Sequence, residues 1–201
     1  MTPDVVVFDL GGVLIDWDPR YLYRKIFSSE QEVERFLSEI CPPEWNVRQD
    51  AGRPIAEAEA ERISLFPDQA DLICAFYDRW DEMLNGTIAG SVDILHTLKA
   101  TGTPLYLLTN FSAETFPRAE EIFDLFHVFD DILVSGREKM IKPDPAIFQR
   151  LMDRNGLEAD RCLFIDDAPA NVAGARTAGL QAVRFTTPEQ LRDDLTGLGL
   201  L

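Results

Sequence analysis

Asp9 stands directly behind the apolar run Val5-Val6-Val7-Phe8 and in front of Leu10-Gly11-Gly12-Val13. A carboxylate at the C-terminal tip of a buried strand lies where open α/β sheets bind ligands. Three later runs end in the same way. Leu105-Tyr106-Leu107-Leu108 gives way to Thr109-Asn110, and Leu163-Phe164-Ile165 to Asp166-Asp167. Between them, Ile141-Lys142-Pro143-Asp144-Pro145 follows a short run at Ile132 to Val134. In one parallel sheet all of these ends share an edge. That edge would carry carboxylates, a hydroxyl beside backbone N–H groups and one fixed cation. Adjacent carboxylates repel unless a cation or protons intervene. The oxygen ligands of Asp9, Asp166 and Asp167 suit Mg²⁺. Lys142 and such an ion would neutralise a phosphoryl group, Thr109 could donate to it, and Asp9 could attack phosphorus. Taken one at a time, each residue has a plainer reading as a turn, a helix cap or a solvated side chain. The order and spacing of all four elements favour the chemical reading.

The elements that must hold these residues alternate. Apolar runs of strand length lie at Val5–Phe8, Leu105–Leu108, Ile132–Val134, Leu163–Ile165 and Ala182–Phe185. They are continuously apolar, as strands covered on both faces are. Helical patterns lie at Ser91–Ala100, Ala113–Phe123, Pro145–Asn155 and Ala170–Ala178. This alternation predicts an α/β fold with a parallel sheet and right-handed crossovers. From about Asp16 to Thr87 no convincing strand is visible. Val33, Phe36, Leu37 and Ile40 share one helical spacing, and Ile73, Phe76, Tyr77, Trp80 and Leu84 another. Ser29 and Glu32 form a capping box for the first. The expected division is a core of residues 1–15 and 88–201, with a helical domain of residues 16–87 inserted after the first strand. Asp18-Pro19 and Asn85-Gly86 are turn signals at its ends.

Of 201 residues, Lys plus Arg number 19 and Asp plus Glu 35, a formal net charge of −16. That balance argues against nucleic acid, which requires a cationic footprint, and against docking on anionic lipid. An anionic substrate must then be met by local positive charge or a bound cation. The three cysteines, Cys41, Cys74 and Cys162, form no C-x-x-C pair. This fits a reducing, cytoplasmic setting without a disulfide framework. No signal peptide or membrane span is visible. Two histidines, His96 and His127, exclude a multi-histidine metal site.

The stretches FDLGGVL (8–14), LLTN (107–110), IKPDP (141–145) and FIDDAPANVAGA (164–175) together resemble the haloacid dehalogenase-like (HAD) hydrolase superfamily. The likeness runs over essentially the whole chain and includes a DLGGV-type first motif. It implies a Rossmann-like parallel sheet of strand order 5-4-1-2-3 and a helical C1 cap over the strand-end edge. By this resemblance Asp9 corresponds to the nucleophile, Thr109 to the phosphate-binding hydroxyl with Asn110 as a nearby backbone donor, and Lys142 to the fixed cation. Asp166 and Asp167 correspond to the acidic pair that holds Mg²⁺ with Asp9, and the carbonyl of Gly11 to a backbone ligand. The implied activity is phosphoric monoester hydrolysis of a small phosphorylated metabolite, a sugar phosphate among the candidates, through an aspartyl-phosphate, by a monomer or homodimer.

One position departs from that pattern. Phosphatases of the superfamily usually carry a second Asp two residues after the nucleophile, where this chain has Gly11. Losing a general acid-base costs about 10²–10⁴-fold in rate. Asp16, Asp18 or a cap residue are the substitutes in view. The gap also keeps two alternatives open: a 2-haloacid dehalogenase, whose departing halide needs no proton, and a HAD-shaped binding protein with little turnover. Substrate contacts are expected from the segment 44–54, with Trp45, Asn46, Arg48 and Gln49 as candidates, although Trp45 has an equal claim to be core. Trp17, Phe111 and the 78–80 stretch read as packing or hinge residues. The aromatic stretch Phe123 to Phe129 should lead into the third strand, and an exposed part of it could serve a dimer.

Overall fold

A computed structural model describes residues 2–201. Its strands are β1 (Val5–Phe8), β2 (Ile15–Trp17), β3 (Leu84–Thr87), β4 (Leu105–Thr109), β5 (Asp131–Val134), β6 (Cys162–Asp166) and β7 (Gln181–Arg184). Five of them form one sheet in the order β5-β4-β1-β6-β7, and every pairing in it is parallel. Counted along the chain this is the order 5-4-1-2-3, so the α/β fold expected from the apolar runs is present. β1 lies at the centre with all four residues buried. Its side chains alternate between faces: Val6 and Phe8 join one hydrophobic cluster, Val5 and Val7 the other.

Helices cover both faces. After β2 come α1 (Arg20–Tyr23), α2 (Glu30–Arg35), α3 (Pro43–Asp50), α4 (Ile55–Leu65) and α5 (Ala70–Asp78). After β3 come α6 (Ala89–Ala100), α7 (Phe116–Ile122), α8 (Ser135–Glu138), α9 (Pro145–Asn155), α10 (Pro169–Thr177) and α11 (Pro188–Gly197). The Ser29–Glu32 capping box forms as the sequence predicts, with each side chain meeting the other's backbone N–H. α2 then runs into a π-helical turn at Phe36–Ile40, so Val33, Phe36 and Leu37 still reach the core.

The region read as strandless differs in one respect. β2 and β3 pair antiparallel as a two-stranded ribbon at the point where the chain enters and leaves the helical stretch. These strands are three and four residues long, and β3 alternates between half-buried and exposed positions, so neither shows a continuous apolar run. Asn85-Gly86, a turn signal in the sequence, lies inside β3, with Gly86 at φ 94°. The helix expected to continue to Leu84 stops earlier: α5 ends at Asp78 and Trp80–Met83 form a 3₁₀ turn. α7 begins at Phe116 rather than near Ala113. Phe123, Phe126 and Phe129 are buried, so this aromatic stretch belongs to the core and presents no apolar face.

The helical stretch is not held apart from the sheet. Tyr23, Phe36, Trp45, Phe76 and Trp80 belong to the same buried cluster as Phe8, Leu107 and Ile165. Tyr23 and Phe36 pack ring against ring at 4.5 Å, and Trp80 meets Phe111, just beyond β4, edge to face at 5.3 Å. Ring pairs of this kind add about 0.5–1.5 kcal/mol each beyond their buried area. Polar ties reinforce the contact. Arg118 Nη1 donates to the carbonyl of Tyr77 at 2.6 Å, and the backbone N–H of Ile55 donates to Glu114 at 2.8 Å. All three cysteines are free thiols. No helix among the described residues is long and apolar enough to cross a membrane.

Candidate active site

The sheet register puts Asp9 and Asp166 side by side. Phe8 pairs with Ile165, and the backbone N–H of Asp9 donates to the Ile165 carbonyl at 2.9 Å, so the next residues on the two strands are neighbours. Lys142 reaches this point from the loop after α8. Its ammonium donates to Asp9 Oδ1 at 2.8 Å, Asp166 Oδ2 at 2.7 Å and the Leu108 carbonyl at 3.0 Å. Lys142 and Asp166 are sealed from solvent, and Asp9 nearly so. Asp166 is held further by the backbone N–H of Ala168 at 2.8 Å and by Asn171 Nδ2 at 3.0 Å. It is thus both the acid at the foot of α10 and a partner of Lys142.

Asn110 fixes the lysine loop. Its Oδ1 accepts from the Lys142 backbone N–H at 2.9 Å, and its Nδ2 donates to the Lys142 carbonyl at 3.0 Å. The sequence suggested a backbone donor at this position. The structure shows that the side-chain amide does separate work, pairing with both polar groups of one peptide segment. Gly174 of α10 packs against the same loop. A Cβ there would press on the carbonyl oxygen of Pro143, which is backbone and cannot swing aside. Gly174→Ala should therefore cost about 1–3 kcal/mol. At about 2–4 °C per kcal/mol for a chain of this length, a melting curve would read it directly. An unshifted midpoint would mean the loop has slack.

Asp9, Asp166 and Asp167 offer carboxylate oxygens that lie within 4.8 Å of one another. With Lys142, three carboxylates face one ammonium, a formal excess of two negative charges. The ionisation of each group reflects this. Burial pushes Asp9 above the usual carboxylate range, and attraction to Lys142 only partly offsets burial and the charge of Asp166. Burial and then the charge of Asp166 likewise raise Asp167. Burial works against the charge on Lys142, but the two carboxylates outweigh it and lift its pKa. An all-oxygen donor set carrying an uncompensated charge of two fits a hard divalent cation. Gly12 is part of the same fit: it sits at φ +74°, and a Cβ on it would lie 2.8 Å from Asp167 Oδ2.

Above the cluster lies a cavity of about 250 Å³. Asp9, Asp167, Gly11 and Thr109 come from the sheet edge, and Asn110, Phe111, Ser112 and Thr115 follow β4. Trp17, Asn46, Asp50, Tyr77 and Trp80 close it from the helical side. The volume falls below the roughly 300–1,000 Å³ typical of pockets for drug-sized ligands. All of the residues singled out at the strand ends therefore converge. Lys142 and Asp166 form a floor beneath the cavity, and Thr109 is buried in its wall.

On the helical side the outcome is mixed. Of the four candidates in segment 44–54, Asn46 alone lines the cavity. Trp45 is core and donates its indole N–H to the Ala58 carbonyl at 3.2 Å. Gln49 is fully buried and donates to Tyr77 Oη at 2.9 Å, while Arg48 is exposed and pairs with Glu61. Trp17, Trp80 and Phe111, read as packing or hinge residues, do pack, yet each also faces the cavity. Asp50, at the end of α3, was not singled out. On the sequence it is one acid among several on a polar helix.

Comparison with known proteins agrees with this architecture. Residues 3–179 match the haloacid dehalogenase-like hydrolase family. The chain is 33% identical over 208 residues to a phosphoglycolate phosphatase of Rhodospirillum rubrum, covering 99% of this chain and 86% of the relative. It superposes on a predicted HAD-like family hydrolase from Porphyromonas gingivalis with a TM-score of 0.76 at 23% identity, covering 98% of each chain. It also matches a HAD family enzyme from Bacteroides thetaiotaomicron, solved with magnesium and inorganic phosphate, with a TM-score of 0.67 at 22% identity, over 92% of this chain and 95% of that one. With its family matched over most of its length and its fold shared, the chain belongs to the haloacid dehalogenase-like hydrolases.

Proposed function

We propose that this hydrolase is a Mg²⁺-dependent phosphatase of a small phosphorylated metabolite, working through an aspartyl-phosphate on Asp9. The observation that carries the reading is the cluster of Asp9, Asp166 and Asp167 around the buried Lys142. An acidic protein that is to bind a phosphate dianion must first change the sign of its site. Asp9, Asp166, Asp167 and the Gly11 carbonyl would hold Mg²⁺, which when bound neutralises phosphoryl oxygens.

Lys142 holds Asp9 Oδ1 at 2.8 Å and so fixes the direction of the carboxylate, leaving its other oxygen to attack phosphorus. Thr109, in the cavity wall, donates its hydroxyl to a phosphoryl oxygen. In this reading the segment 16–87 acts as a C1-type cap, and the DLGGV sequence is a variant first motif. A cavity of about 250 Å³ lined by indoles, an amide and a carboxyl suits a compact, hydroxylated substrate. A sugar phosphate or a short phosphorylated acid has this character, and the Rhodospirillum rubrum relative acts as a phosphoglycolate phosphatase.

Gly11 favours a second reading, 2-haloacid dehalogenation, since a departing halide needs no acid. That chemistry does not use a divalent cation, and the carboxylate trio is then without a purpose. One screen separates the two. With Mg²⁺ the protein should release phosphate from an aryl phosphate and a panel of sugar phosphates, and EDTA should abolish the release. Chloride release from 2-chloropropionate with no phosphatase activity would replace this reading with the dehalogenase. Binding of both substrates without turnover would leave a binding protein.

A further inference from the structure

We propose that Asp50, at the C-terminal end of α3, is the general acid and base that position 11 lacks. The proposal rests on the phosphatase reading and goes beyond it by naming the proton donor. Among the described residues, three acidic side chains line the cavity: Asp9, Asp167 and Asp50. Asp9 is the attacking group and Asp167 belongs to the cation cluster, so Asp50 is the acid left over. The other substitutes considered from the sequence are engaged elsewhere. Asp16 accepts from Tyr21 Oη and Asn85 Nδ2, each at 2.9 Å, and Asp18 accepts from the Arg20 backbone N–H at 2.8 Å. Neither lines the cavity.

Asp50 is held as a working acid must be. Asn46 Nδ2 donates to its Oδ2 at 3.1 Å, and Asn46 is itself set by Tyr77 Oη, which donates to Asn46 Oδ1 at 3.0 Å. The backbone of Asp50 is tied to the sheet rather than to the helices alone. Ser135 Oγ, just after β5, donates to the Asp50 carbonyl at 2.5 Å and accepts from the Phe111 backbone N–H at 2.8 Å. One buried hydroxyl thus joins the end of α3 to the segment following Thr109. No ion pair is formed by Asp50 among the described residues. Burial pushes its carboxyl up to about 7, against the pull of the Ser112 backbone N–H, so near neutrality much of it carries a proton. Tyr77, the phenol lining the same cavity, is raised far above its usual range by burial, so it gives up its proton less readily than Asp50.

The step balances. An Asp9 oxygen forms a bond to phosphorus as the bond from phosphorus to the leaving oxygen breaks. That oxygen keeps the bonding pair and takes the Asp50 proton, leaving as an alcohol. Asp50, now a carboxylate, accepts a proton from the water that attacks the aspartyl-phosphate. Phosphate departs, and Asp9 and the protonated Asp50 are restored.

A leaving-group series with Mg²⁺ tests this. Wild type should hydrolyse dinitrophenyl phosphate, which needs no acid, and also propyl phosphate, which does. Asp50→Asn should lose about 10²–10⁴-fold in kcat/KM on propyl phosphate and under tenfold in kcat/KM on dinitrophenyl phosphate, because kcat/KM covers the steps up to departure of the leaving group and not the later hydrolysis of the shared aspartyl-phosphate. Asp50→Ala should show the same selectivity, which keeps the test alive if one variant folds poorly. Position 11 has open space where a Cβ would point, so Gly11→Asp in the Asp50→Asn background should recover propyl phosphate turnover. Equal losses of kcat/KM across the series, undiminished kcat/KM on propyl phosphate, or a wild type confined to the activated ester would each overturn the role of Asp50 while the phosphatase reading stands. No turnover even of the activated ester would remove both.

Discussion

Asp9→Asn should abolish turnover and leave the protein folded. Asp9 Oδ1 accepts from the Leu10 backbone N–H at 2.7 Å and from Lys142 at 2.8 Å, and an amide oxygen can keep both bonds. What changes is the second oxygen. It becomes an NH₂ whose lone pair is delocalised, which neither attacks phosphorus nor ligates a hard cation. Loss of a covalent nucleophile typically costs roughly 10⁴–10⁶-fold in kcat. The substitution also removes a negative charge that is held above its ordinary pKa by burial, so the melting midpoint should stay or rise. Phosphate release and a thermal melt on the same preparation check both halves. Undiminished activity would discard Asp9 as the attacking group, and a collapsed melt would show that its role is structural.

Lys142→Met should be the most damaging of the single changes at the site for stability. Its ammonium is completely buried between Asp9 and Asp166 and also satisfies the Leu108 carbonyl. Methionine fills most of the space taken by the lysine stem, so the effect reads charge more than volume. It leaves two buried carboxylates facing each other and a carbonyl without its donor. Removing one member of a buried ion pair costs about 3–5 kcal/mol because the partner charge stays behind. For a domain whose whole stability is about 5–15 kcal/mol, that is a large fraction. Turnover should vanish with it, since Asp9 loses the contact that orients it. A urea titration gives the stability half of the prediction, and a midpoint within experimental scatter of wild type would show that the cluster tolerates the loss.

The two variants also separate roles that the geometry merges. Asp9→Asn removes chemistry while the lysine keeps its partners. Lys142→Met removes the electrostatic frame while the nucleophile keeps its identity. If both abolish turnover but Lys142→Met alone lowers the urea midpoint, the lysine is shown to be structural and functional at once. That is the expectation for a cation buried this deeply beneath a cavity that must receive an anion.

How far the sequence reached follows from what sets each feature. A buried parallel strand is written locally, as a continuous apolar run, and Val5–Phe8 or Leu163–Ile165 need no distant information to be recognised. Parallel order then puts every C-terminal end on one edge, so Asp9, Thr109, Asp166 and Asp167 could be brought together on paper. The Ser29–Glu32 cap is equally local. Strand pairs of three and four residues are a different case. β2 and β3 are stabilised by each other across nearly seventy residues, and nothing within Ile15–Trp17 or Leu84–Thr87 announces the pairing.

The strand order came only with the family resemblance. The sequence by itself determined the parallel α/β sheet, the helical nature of most of residues 16–87 and the chemistry available at the sheet edge. These depend on periodicity and on the direction of strands, which neighbouring residues encode. Tertiary structure alone decided that Lys142 is fully buried between two carboxylates, that the Asn110 amide clamps its loop, and that Asp50 rather than Arg48 or Gln49 faces the cavity. Those outcomes depend on how a helix is rotated and seated against a surface far away in the chain. A rotation of one position about a helix axis, some 100°, exchanges an inward side chain for an outward one without altering the local pattern.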